Sequence, residues 1–494
     1  MGQSLLRNQE KMNNLVSGKT NEWEVVLGLE VHAQIKSKSK LFSSAPTDWG
    51  AEPNSQVSLV DSGMPGALPV INETCVDQAI LTGLSLNAKI NEISIFDRKN
   101  YFYPDLPQGY QISQFEHPIV SGGFLMIETK NGPKKIGITR LHLEQDAGKS
   151  IHDQDLSNSF IDLNRSGCGL MEIVSEPDMR STEEVGQYVK KLRSILRYVG
   201  SCDGNMEKGN LRVDVNVSVR LPGKELGTRC EIKNVNSIKF IQQAIEYEAN
   251  RQIKIIEDGG IINQETRLFD PNKGETRSMR GKEESHDYRY FPDPDLPPLV
   301  LSNKKIKQLE EILPELPDDK KKRFVDDYKI KDYDSEIIVN DQDVSDFFEK
   351  LVNNRDSKMV VSWITGELFS YLKKIEKNLP ESNISVEKFG ELLDLISDGT
   401  ISNRVAKEIF VEYLQSNKSA KEFISDKGLV QVSDTSELDK MIDQVLKENP
   451  KMVDDYKGGK DKLLGFFVGQ VMKISSGKAN PQLVNNMLKD KLNK

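Results

Sequence analysis

The most constraining feature of this sequence is a strict alternation of apolar and polar residues. Leu or Val alternates with polar residues throughout LRVDVNVSVRL, residues 211–221, and EVVLGLEVHAQ, residues 24–34, shows a similar period. A period of two is typical of a β-strand with one buried and one polar face. Residues 182–199, with a Ser181/Glu184 capping box, and residues 237–258, which end at a Gly-Gly pair, have helical patterns. We predict an α+β fold with a mainly antiparallel sheet.

The character of the chain changes near residue 295. All five histidines and all four cysteines come before this point, and a proline-rich segment, residues 291–298, marks the change. Proline continues neither a helix nor a central strand. The later residues have helical periodicity, so we expect all-α domains there. At roughly 150 residues per domain, 494 residues predict about three domains.

Composition excludes several classes of protein. The chain has 67 Lys+Arg and 76 Asp+Glu, a net charge of −9, which argues against a protein that simply coats nucleic acid. No apolar stretch approaches the roughly 18 residues of a membrane span. The N-terminus lacks an apolar signal core, and the cysteines contain no CxxC pair. We expect a cytoplasmic protein, or a matrix protein if it is organellar, with reduced thiols and no membrane contact.

The polar faces of the predicted strands carry carboxylates together with a few other polar side chains. Residues that share a face are Glu30, His32 and Gln34; His142, Glu144 and Asp146; Asp214 and Asn216; Glu231 and Lys233; Glu172 stands among apolar residues. For any single strand, the solvated face of an antiparallel sheet is the more common explanation. If several of these faces converge, they form an oxygen-rich site suited to Mg²⁺ and phosphates. No P-loop or GxGxxG motif is present, so a nucleotide site would be of another type.

Two stretches interleave aromatic and basic residues. They are FDRKNYFYPDLPQGYQISQ, with Arg98, Lys99, Tyr101, Phe102, Tyr103 and Tyr110, and ETRSMRGKEESHDYRYFPDPD, with Arg277, Arg280, Arg289, Tyr290 and Phe291. Such stretches can stack bases and hold phosphates. A buried aromatic cluster with surface charges explains the spacing equally well, so the sequence leaves both interpretations open.

These same segments resemble the GatB family, the B subunits of aspartyl/glutamyl-tRNA amidotransferases. The resemblance covers nearly the whole chain and includes EVVLGLEVHAQ, MPGALPV, GITRLHLEQDAGKS, MEIVSEPD, EIKNVNS and DYRYFPDPDLPPL. The segments ISNRVAKEIF and GFFVGQVMKISSGKANPQLVN are similar to the YqeY-like tail of that family. The resemblance implies an N-terminal extension (1–20), a catalytic cradle domain similar in fold to glutamine synthetase (21–295), a helical domain (296–405) and a YqeY-like helical tail (406–494).

The resemblance also implies an activity. Members of the family phosphorylate the side-chain carboxylate of Glu-tRNA(Gln) or Asp-tRNA(Asn) with ATP and Mg²⁺. Ammonia from glutamine, released by the amidase (the A subunit), then completes the amide, and a small C subunit holds the A and B subunits together. Two alternatives are a non-catalytic tRNA-binding scaffold and an archaeal-type paralogue. The interval from 296 to about 345 is too short for the extra domain of that paralogue.

Roles carried over from the family place Mg²⁺ on His32, Glu144 and Glu172. Glu30 lies beside them as a further ligand or as the group that orients ammonia and the acyl phosphate. Asp214, Glu231 and Lys233 are implied for a second cation or the nucleotide phosphates. The family motif often reads LHxEEDAG, whereas this chain has Gln145 after Glu144. If the second carboxylate of that motif is the ligand, the metal assignment changes; strand parity places Glu144 and Gln145 on opposite sides.

Overall fold

The structure is a computed structural model that describes residues 15–152, 154–155, 157–279, 287–429, 435–475 and 479–493. The chain divides into two compact units, Met1–Lys320 and Lys321–Lys494. Of the predicted N-terminal extension only residues 15–20 are described, and Arg280 lies outside the described residues. The predicted limits at 20/21, 295/296 and 405/406 remain predictions.

All of the strands described lie in the first unit. They are β1 (Leu15–Ser17), β2 (Glu22–Gln34), β3 (Lys89–Ile90), β4 (Ile93–Ser94), β5 (Asp97–Asn100), β6 (Tyr110–Ser113), β7 (Val120–Ser121), β8 (Phe124–Thr129), β9 (Gly132–Gln145), β10 (Lys149–Ile151), β11 (Phe160–Asp162), β12 (Gly169–Ser175), β13 (Leu211–Arg220), β14 (Cys230–Lys233), β15 (Thr266–Asp270), β16 (Glu275–Ser278), β17 (Phe291–Pro292) and β18 (Leu299–Val300).

The α-helices occur in both units. They are α1 (Glu73–Ser85), α2 (Thr182–Val199), α3 (Ile238–Glu257), α4 (Asn303–Glu311), α5 (Pro317–Tyr328), α6 (Asp332–Val339), α7 (Gln342–Val352), α8 (Ser357–Trp363), α9 (Phe369–Ile375), α10 (Val386–Ser397), α11 (Asn403–Gln415), α12 (Ala420–Asp426), α13 (Thr435–Glu448), α14 (Pro450–Lys457), α15 (Leu463–Ile474) and α16 (Pro481–Leu492). A π-helical turn (Ile364–Leu368) joins α8 to α9, and a 3-10 turn (Pro380–Ser382) follows.

Eleven of the described strands form one sheet. Its central order is β16-β15-β14-β13-β2-β12-β9-β7-β3, with β1 beside β2 and β8 beside β9. The pair β14/β15 is parallel, whereas β13/β2, β2/β12 and β12/β9 are antiparallel. The predicted α+β class and the two long strands are therefore confirmed, within a sheet that is mixed in direction.

The alternation of apolar and polar residues in β2 and β13 determines which face of the sheet is buried beneath the helices. Val213, Val215 and Val217 of β13 are at most 2% exposed and belong to the core of the first unit. Helix α3 packs against β13, and α2 packs against β8 and α3. Glu30, His32 and Asp214 alternate with such core residues, so they lie on the other face.

Both predicted helices of the first unit are present, and a serine hydroxyl caps the N-terminus of each. The Ser181 hydroxyl accepts from the backbone N–H of Glu184, and the Ser237 hydroxyl accepts from that of Phe240. The capping box is only half formed, because Glu184 Oε2 accepts from the backbone N–H of Arg180 and from Lys134 Nζ. Gly200 closes α2 at φ 76°, a backbone conformation that glycine adopts without strain.

The described part of the second unit is helical and contains two apolar clusters. One extends from Phe324 to Ile424 and includes the edge-to-face pair Trp363/Phe410. The other joins α13, α15 and α16 through residues such as Phe467 and Leu488. None of the described helices combines the length and apolar character of a membrane span.

Candidate active site

A row of four side chains crosses the polar face of the sheet, one from each of four neighbouring strands. Arg212 of β13 lies opposite His32 of β2. Glu172 of β12 lies opposite both His32 and His142 of β9. Side chains opposite each other in antiparallel strands have Cβ atoms about 5 Å apart. The strand register therefore brings together residues that are far apart in the sequence.

His32, Glu144 and Glu172 form a compact donor cluster. His32 Nε2 lies 3.6 Å from Glu144 Oε1 and 3.4 Å from Glu172 Oε2. One nitrogen or oxygen from each of the three residues lies within 4.8 Å of the other two. No other group of three His, Cys, Asp or Glu side chains meets this distance in the part of the chain described. The three residues assigned to a metal from the sequence thus lie together.

His142 faces the same two carboxylates, and its proton can be placed. Arg140 Nε donates to His142 Nδ1 at 3.3 Å. A guanidinium only donates, so a neutral His142 carries its proton on Nε2. That nitrogen lies 3.6 Å from Glu144 Oε2 and 3.5 Å from Glu172 Oε2. His142 is therefore placed to orient the carboxylates, in the manner of the groups that fix metal ligands.

The protonation of the cluster follows from its charges. Burial alone would lower the pKa of His32, but the hydrogen bond to Glu172 and the negative charge of Glu144 outweigh it and raise that pKa to about 9. Burial alone would raise the pKa of Glu172, yet the positive charge around it and the hydrogen bond from His32 Nε2 hold that pKa well below its usual range. Without a cation, His32 is thus protonated near neutral pH, and a bound metal ion would replace that proton.

Gln145 does not share the role of Glu144. Its side-chain oxygen accepts from the backbone N–H of Ile112 at 3.0 Å, which ties the end of β9 to β6. Glu144 Oε2 instead accepts from Ser113 Oγ and lies near His142. The side-chain oxygen of Gln145 thus already has a donor.

Asp146 shares a strand face with His142 and Glu144, which makes it a candidate metal ligand, but in the structure it binds two arginines. Its Oδ2 accepts from Arg165 Nη2 at 2.6 Å, and its Oδ1 accepts from Arg212 Nη2 at 3.0 Å. Burial alone would raise the pKa of Asp146, but the charges of Arg212 and Arg165 lower it. Sequence reasoning missed Arg212 as a site residue, although it shares the alternation of Asp214 and Asn216.

The residues assigned to nucleotide or a second cation surround Lys233. Its Nζ lies 3.2 Å from Glu231 Oε1 and 3.5 Å from Asp214 Oδ2. Those two charges raise the pKa of Lys233, although burial alone would lower it. Asn216 Nδ2 donates to Glu30 Oε1 at 2.9 Å, and burial together with the charge of Glu172 raises the pKa of Glu30.

These groups open into a cavity of about 1210 Å³, which we call the main cavity. Glu30, His32, Glu172 and Lys233 line one side. The two aromatic and basic stretches supply other parts of its wall, through residues such as Lys99, Tyr101, Phe102, Tyr288 and Phe291.

The structure separates the two interpretations of the first stretch. Arg98 is engaged within the fold, because Asp293 and Asp295 bind it at 2.8 Å and the Tyr110 ring lies 4.1 Å away. Lys99 Nζ lies 4.9 Å from the centre of the Tyr288 ring, and Phe102 is 85% exposed. Lys99, Phe102 and Tyr103, which is 57% exposed, are therefore members of this stretch that are open to a ligand.

We expect His142→Phe to weaken divalent-cation binding about 10- to 100-fold, because the two carboxylates lose the N–H that orients them. Mn²⁺ binding to the full chain, measured by electron paramagnetic resonance, tests this. His142→Gln keeps an N–H close to the position of Nε2 and should restore most of the affinity. The exposed His117→Phe is the control. Wild-type affinity in His142→Phe would show that His142 does not orient the carboxylates.

Comparison with known proteins gives a consistent result. The sequence model of the GatB/GatE catalytic domain matches residues 25–307, and that of a GatB domain matches residues 346–492. Proteins named as the B subunit of aspartyl/glutamyl-tRNA(Asn/Gln) amidotransferase are 58% identical over 483 residues in Pelagibacter ubique and 57% identical over 478 residues in Rickettsia bellii. These alignments cover 97% of this chain and 98% and 99% of the respective relatives. The chain therefore belongs to the GatB family of tRNA amidotransferase B subunits.

Proposed function

We propose that this chain is the activating component of a glutamine-dependent tRNA amidotransferase. It transfers the γ-phosphoryl group of ATP to the side-chain carboxylate of Glu-tRNA(Gln), Asp-tRNA(Asn) or both. Ammonia then displaces the phosphate, which gives Gln-tRNA(Gln) or Asn-tRNA(Asn). The observation that carries the proposal is the His32–Glu144–Glu172 cluster. Two of its members, His32 and Glu172, line a cavity that is also lined by Lys99 and Lys233.

The donors of the cluster fit a divalent cation. Two carboxylates are typical ligands of protein-bound Mg²⁺, and an imidazole also admits Mn²⁺. His32, Glu144 and Glu172 would hold the ion, with Glu30 beside them. Bound there, Mg²⁺ would neutralise charge on the ATP phosphates and polarise a phosphoryl oxygen.

The other side chains of the main cavity then have specific tasks. A carboxylate is a poor electrophile toward ammonia, so phosphorylation supplies the leaving group. Lys99 and Lys233 provide positive charge for phosphate oxygens. Glu30 has a raised pKa, which favours acceptance of the proton that the ammonia nitrogen loses as the C–N bond forms and phosphate leaves. The rings of Tyr101 and Tyr288 limit the access of water to the acyl phosphate.

The proposal requires partners. Ammonia has to come from glutamine through the amidase, the A subunit, because neutral solution protonates most free ammonia, and a small C subunit would join the amidase to this chain. The large sheet of the first unit is compatible with a cradle similar in fold to glutamine synthetase. Glutamine synthetase also forms an acyl phosphate before ammonia attacks. Aminoacyl-tRNA is used by ribosomes, so the proposed location is the cytoplasm.

The complex of this chain with the amidase and the small C subunit tests the proposal. Given ATP, Mg²⁺ and glutamine, it should amidate Glu-tRNA(Gln) or Asp-tRNA(Asn) and form one ADP per product. Ammonium chloride should replace glutamine, because only the supply of ammonia belongs to the amidase. Loss of ADP formation in His32→Ala with retained tRNA binding would support the proposal, and Glu30→Ala should slow amide formation more than ADP formation. Unchanged ADP formation in His32→Ala would favour the scaffold alternative.

A further inference from the structure

Arg212 lies at the edge of the metal cluster, and its side chain is 42% exposed. It is opposite His32 in the register of β13 and β2, so the two Cβ atoms are about 5 Å apart. Asp214, two residues further along β13, lines the main cavity together with His32. Residues two apart in a strand share a face, so Arg212 projects from the same polar face. A ligand that reaches His32 from the main cavity is therefore within reach of Arg212.

Buried contacts hold the guanidinium of Arg212 in place from one direction. Its Nη2 donates to Asp146 Oδ1 at 3.0 Å, and Asp146 Oδ2 accepts from Arg165 Nη2 at 2.6 Å. Asp146 is only 3% exposed. Arg165 Nη2 also donates to the backbone carbonyl of Gly209, just before β13, at 3.2 Å. Arg165 thus fixes the carboxylate of Asp146, and that carboxylate fixes Arg212.

Arg212 still presents two parallel N–H groups to a ligand. Its Nη2 carries two hydrogens, one beside Nε and one beside Nη1, and Asp146 accepts from Nη2 alone. Whichever of these hydrogens Asp146 takes, the other edge of the guanidinium keeps a pair of N–H groups. Among the described residues, neither Nε nor Nη1 of Arg212 has a hydrogen-bond partner. Such a pair matches the two oxygens of a carboxylate.

The group formed by Arg165, Asp146 and Arg212 has a surplus of positive charge. A single carboxylate pairs with two guanidinium groups, which leaves a net charge of about +1. The carboxylates of the metal cluster lie on the same face of the sheet and repel an incoming anion. A substrate carboxylate therefore needs a cation beside the metal site, and Arg212 supplies one.

The lysines of the main cavity suit a different anion. Lys99 and Lys233 line the cavity, and an ammonium group is a compact charge without a planar fork. A guanidinium is planar and matches a planar carboxylate with two bonds, although it also binds phosphate in this way. The position of Arg212 at the edge of the cluster, beyond these lysines, favours the carboxylate, and ATP is included in the test.

We propose that Arg212 binds the side-chain carboxylate of the misacylated tRNA and distinguishes it from the amide of the product. The proposal rests on the proposed function, which brings that carboxylate to the metal cluster. A carboxylate accepts from both N–H groups of the fork, whereas an amide has one acceptor oxygen and an NH₂ group that only donates. With the amide, one hydrogen bond is lost and two donors face each other. Arg212 therefore favours binding of the substrate and release of the product.

Binding to the full chain, with Mg²⁺ and without ATP, tests the inference because no phosphoryl transfer can occur. The probes are two labelled RNA minihelices that end in CCA and carry glutamate or glutamine through a 3′-amide that does not hydrolyse. Fluorescence anisotropy should show about 10- to 100-fold tighter binding of the glutamate minihelix to wild type. Arg212→Gln should reduce this preference at least fivefold and leave the affinity for the glutamine minihelix within about threefold of wild type.

Two further variants separate the fork from charge and from folding. Arg212→Lys retains a cation for Asp146 but loses the fork, so its preference should lie between those of wild type and Arg212→Gln. Arg220→Lys is the matched control. Arg220 lies on the same face of β13, roughly 27 Å along the strand from Arg212, and also pairs with a carboxylate, that of Glu24. Arg220→Lys should keep the wild-type preference.

The other outcomes would overturn the inference. Wild-type preference in Arg212→Gln, or an equal loss of affinity for both minihelices, would show that Arg212 does not recognise the carboxylate. Weaker ATP binding in Arg212→Gln with unchanged preference would assign the fork to phosphate. If the complex fails to amidate tRNA while Arg212→Gln still loses the preference, the carboxylate site stands and the proposed function does not. Normal amidation with an unchanged preference in Arg212→Gln would leave the proposed function intact and remove the inference.

Discussion

Replacing Glu172 with glutamine is expected to lower kcat/KM for ATP-dependent amidation by about 10³-fold or more. Glu172 Oε2 lies within 3.5 Å of both His32 Nε2 and His142 Nε2, so the substitution removes the negative charge at the centre of the cluster. A metal ion at a phosphoryl group contributes several kcal/mol to transition-state stabilisation, and each 1.36 kcal/mol is tenfold in rate. The measurement is product formation by the assembled complex with saturating ammonium chloride.

The control and a second readout separate a metal ligand from a structural residue. Glu128→Gln changes an exposed carboxylate of β8 and should leave the rate within about twofold. Glu172→Gln should also lose Mn²⁺ affinity while it retains affinity for tRNA. Normal Mn²⁺ binding in Glu172→Gln would move the metal site away from this cluster.

The face of each site residue was predictable from the sequence because strand parity is a local property. Glu30, His32 and Asp214 alternate with buried residues, and a sheet with one covered face tolerates no shift of one residue. The convergence of those faces was not predictable in the same way. Glu172 meets both His32 and His142 only because β12 lies between β2 and β9, and that strand order is a property of the whole fold.

Asp146 shows what the alternation of faces along a strand cannot predict, namely the partner of a side chain. It shares the alternation of His142 and Glu144, yet its carboxylate is bound by Arg165, from the segment between β11 and β12, and by Arg212 of β13. Nothing local in the sequence pairs these three residues. The same holds for Gln145, whose oxygen accepts from the backbone of β6. Residue types and spacing identify candidate ligands, but non-local partners decide which carboxylates remain open to a cation.

A buried ionic network holds the sheet edge beside Glu231 and Lys233. Glu248 of α3 is fully buried and accepts from Arg251 Nη2 at 2.7 Å and from Thr276 Oγ1 of β16 at 2.8 Å. Arg267 Nε of β15 lies 3.1 Å from its Oε2. Because β15 pairs with β14, this network connects α3 to the strand that carries Glu231 and Lys233. Burial alone would raise the pKa of Glu248, but the hydrogen bonds from Arg251 and Gln252 lower it.

Glu248→Ala is expected to lower the free energy of unfolding of this region by about 3 kcal/mol at pH 7, the low end for a broken buried ion pair, because buried Arg267 loses one carboxylate partner and keeps only Glu265. Glu248→Gln keeps a side chain of nearly the same shape, so it should lower the free energy of unfolding by less than Glu248→Ala does. Urea-dependent hydrogen exchange of the α3 amides measures both. Glu246→Ala, an exposed change on the same helix, should stay within about 0.5 kcal/mol of wild type.

Acid should separate the charge of Glu248 from its packing. A carboxylate whose pKa is lower in the folded state contributes stability that is present above its unfolded pKa, about 4.3, and is lost as the pH falls through the folded value. Wild type should therefore lose stability of the α3 region below about pH 4, whereas Glu248→Gln, which has no proton to take up there, should lose less. The difference in the stability of the α3 region between wild type and Glu248→Gln should therefore become smaller as the pH falls. An equal loss in both proteins would show that the charge of Glu248 does not stabilise this edge of the sheet.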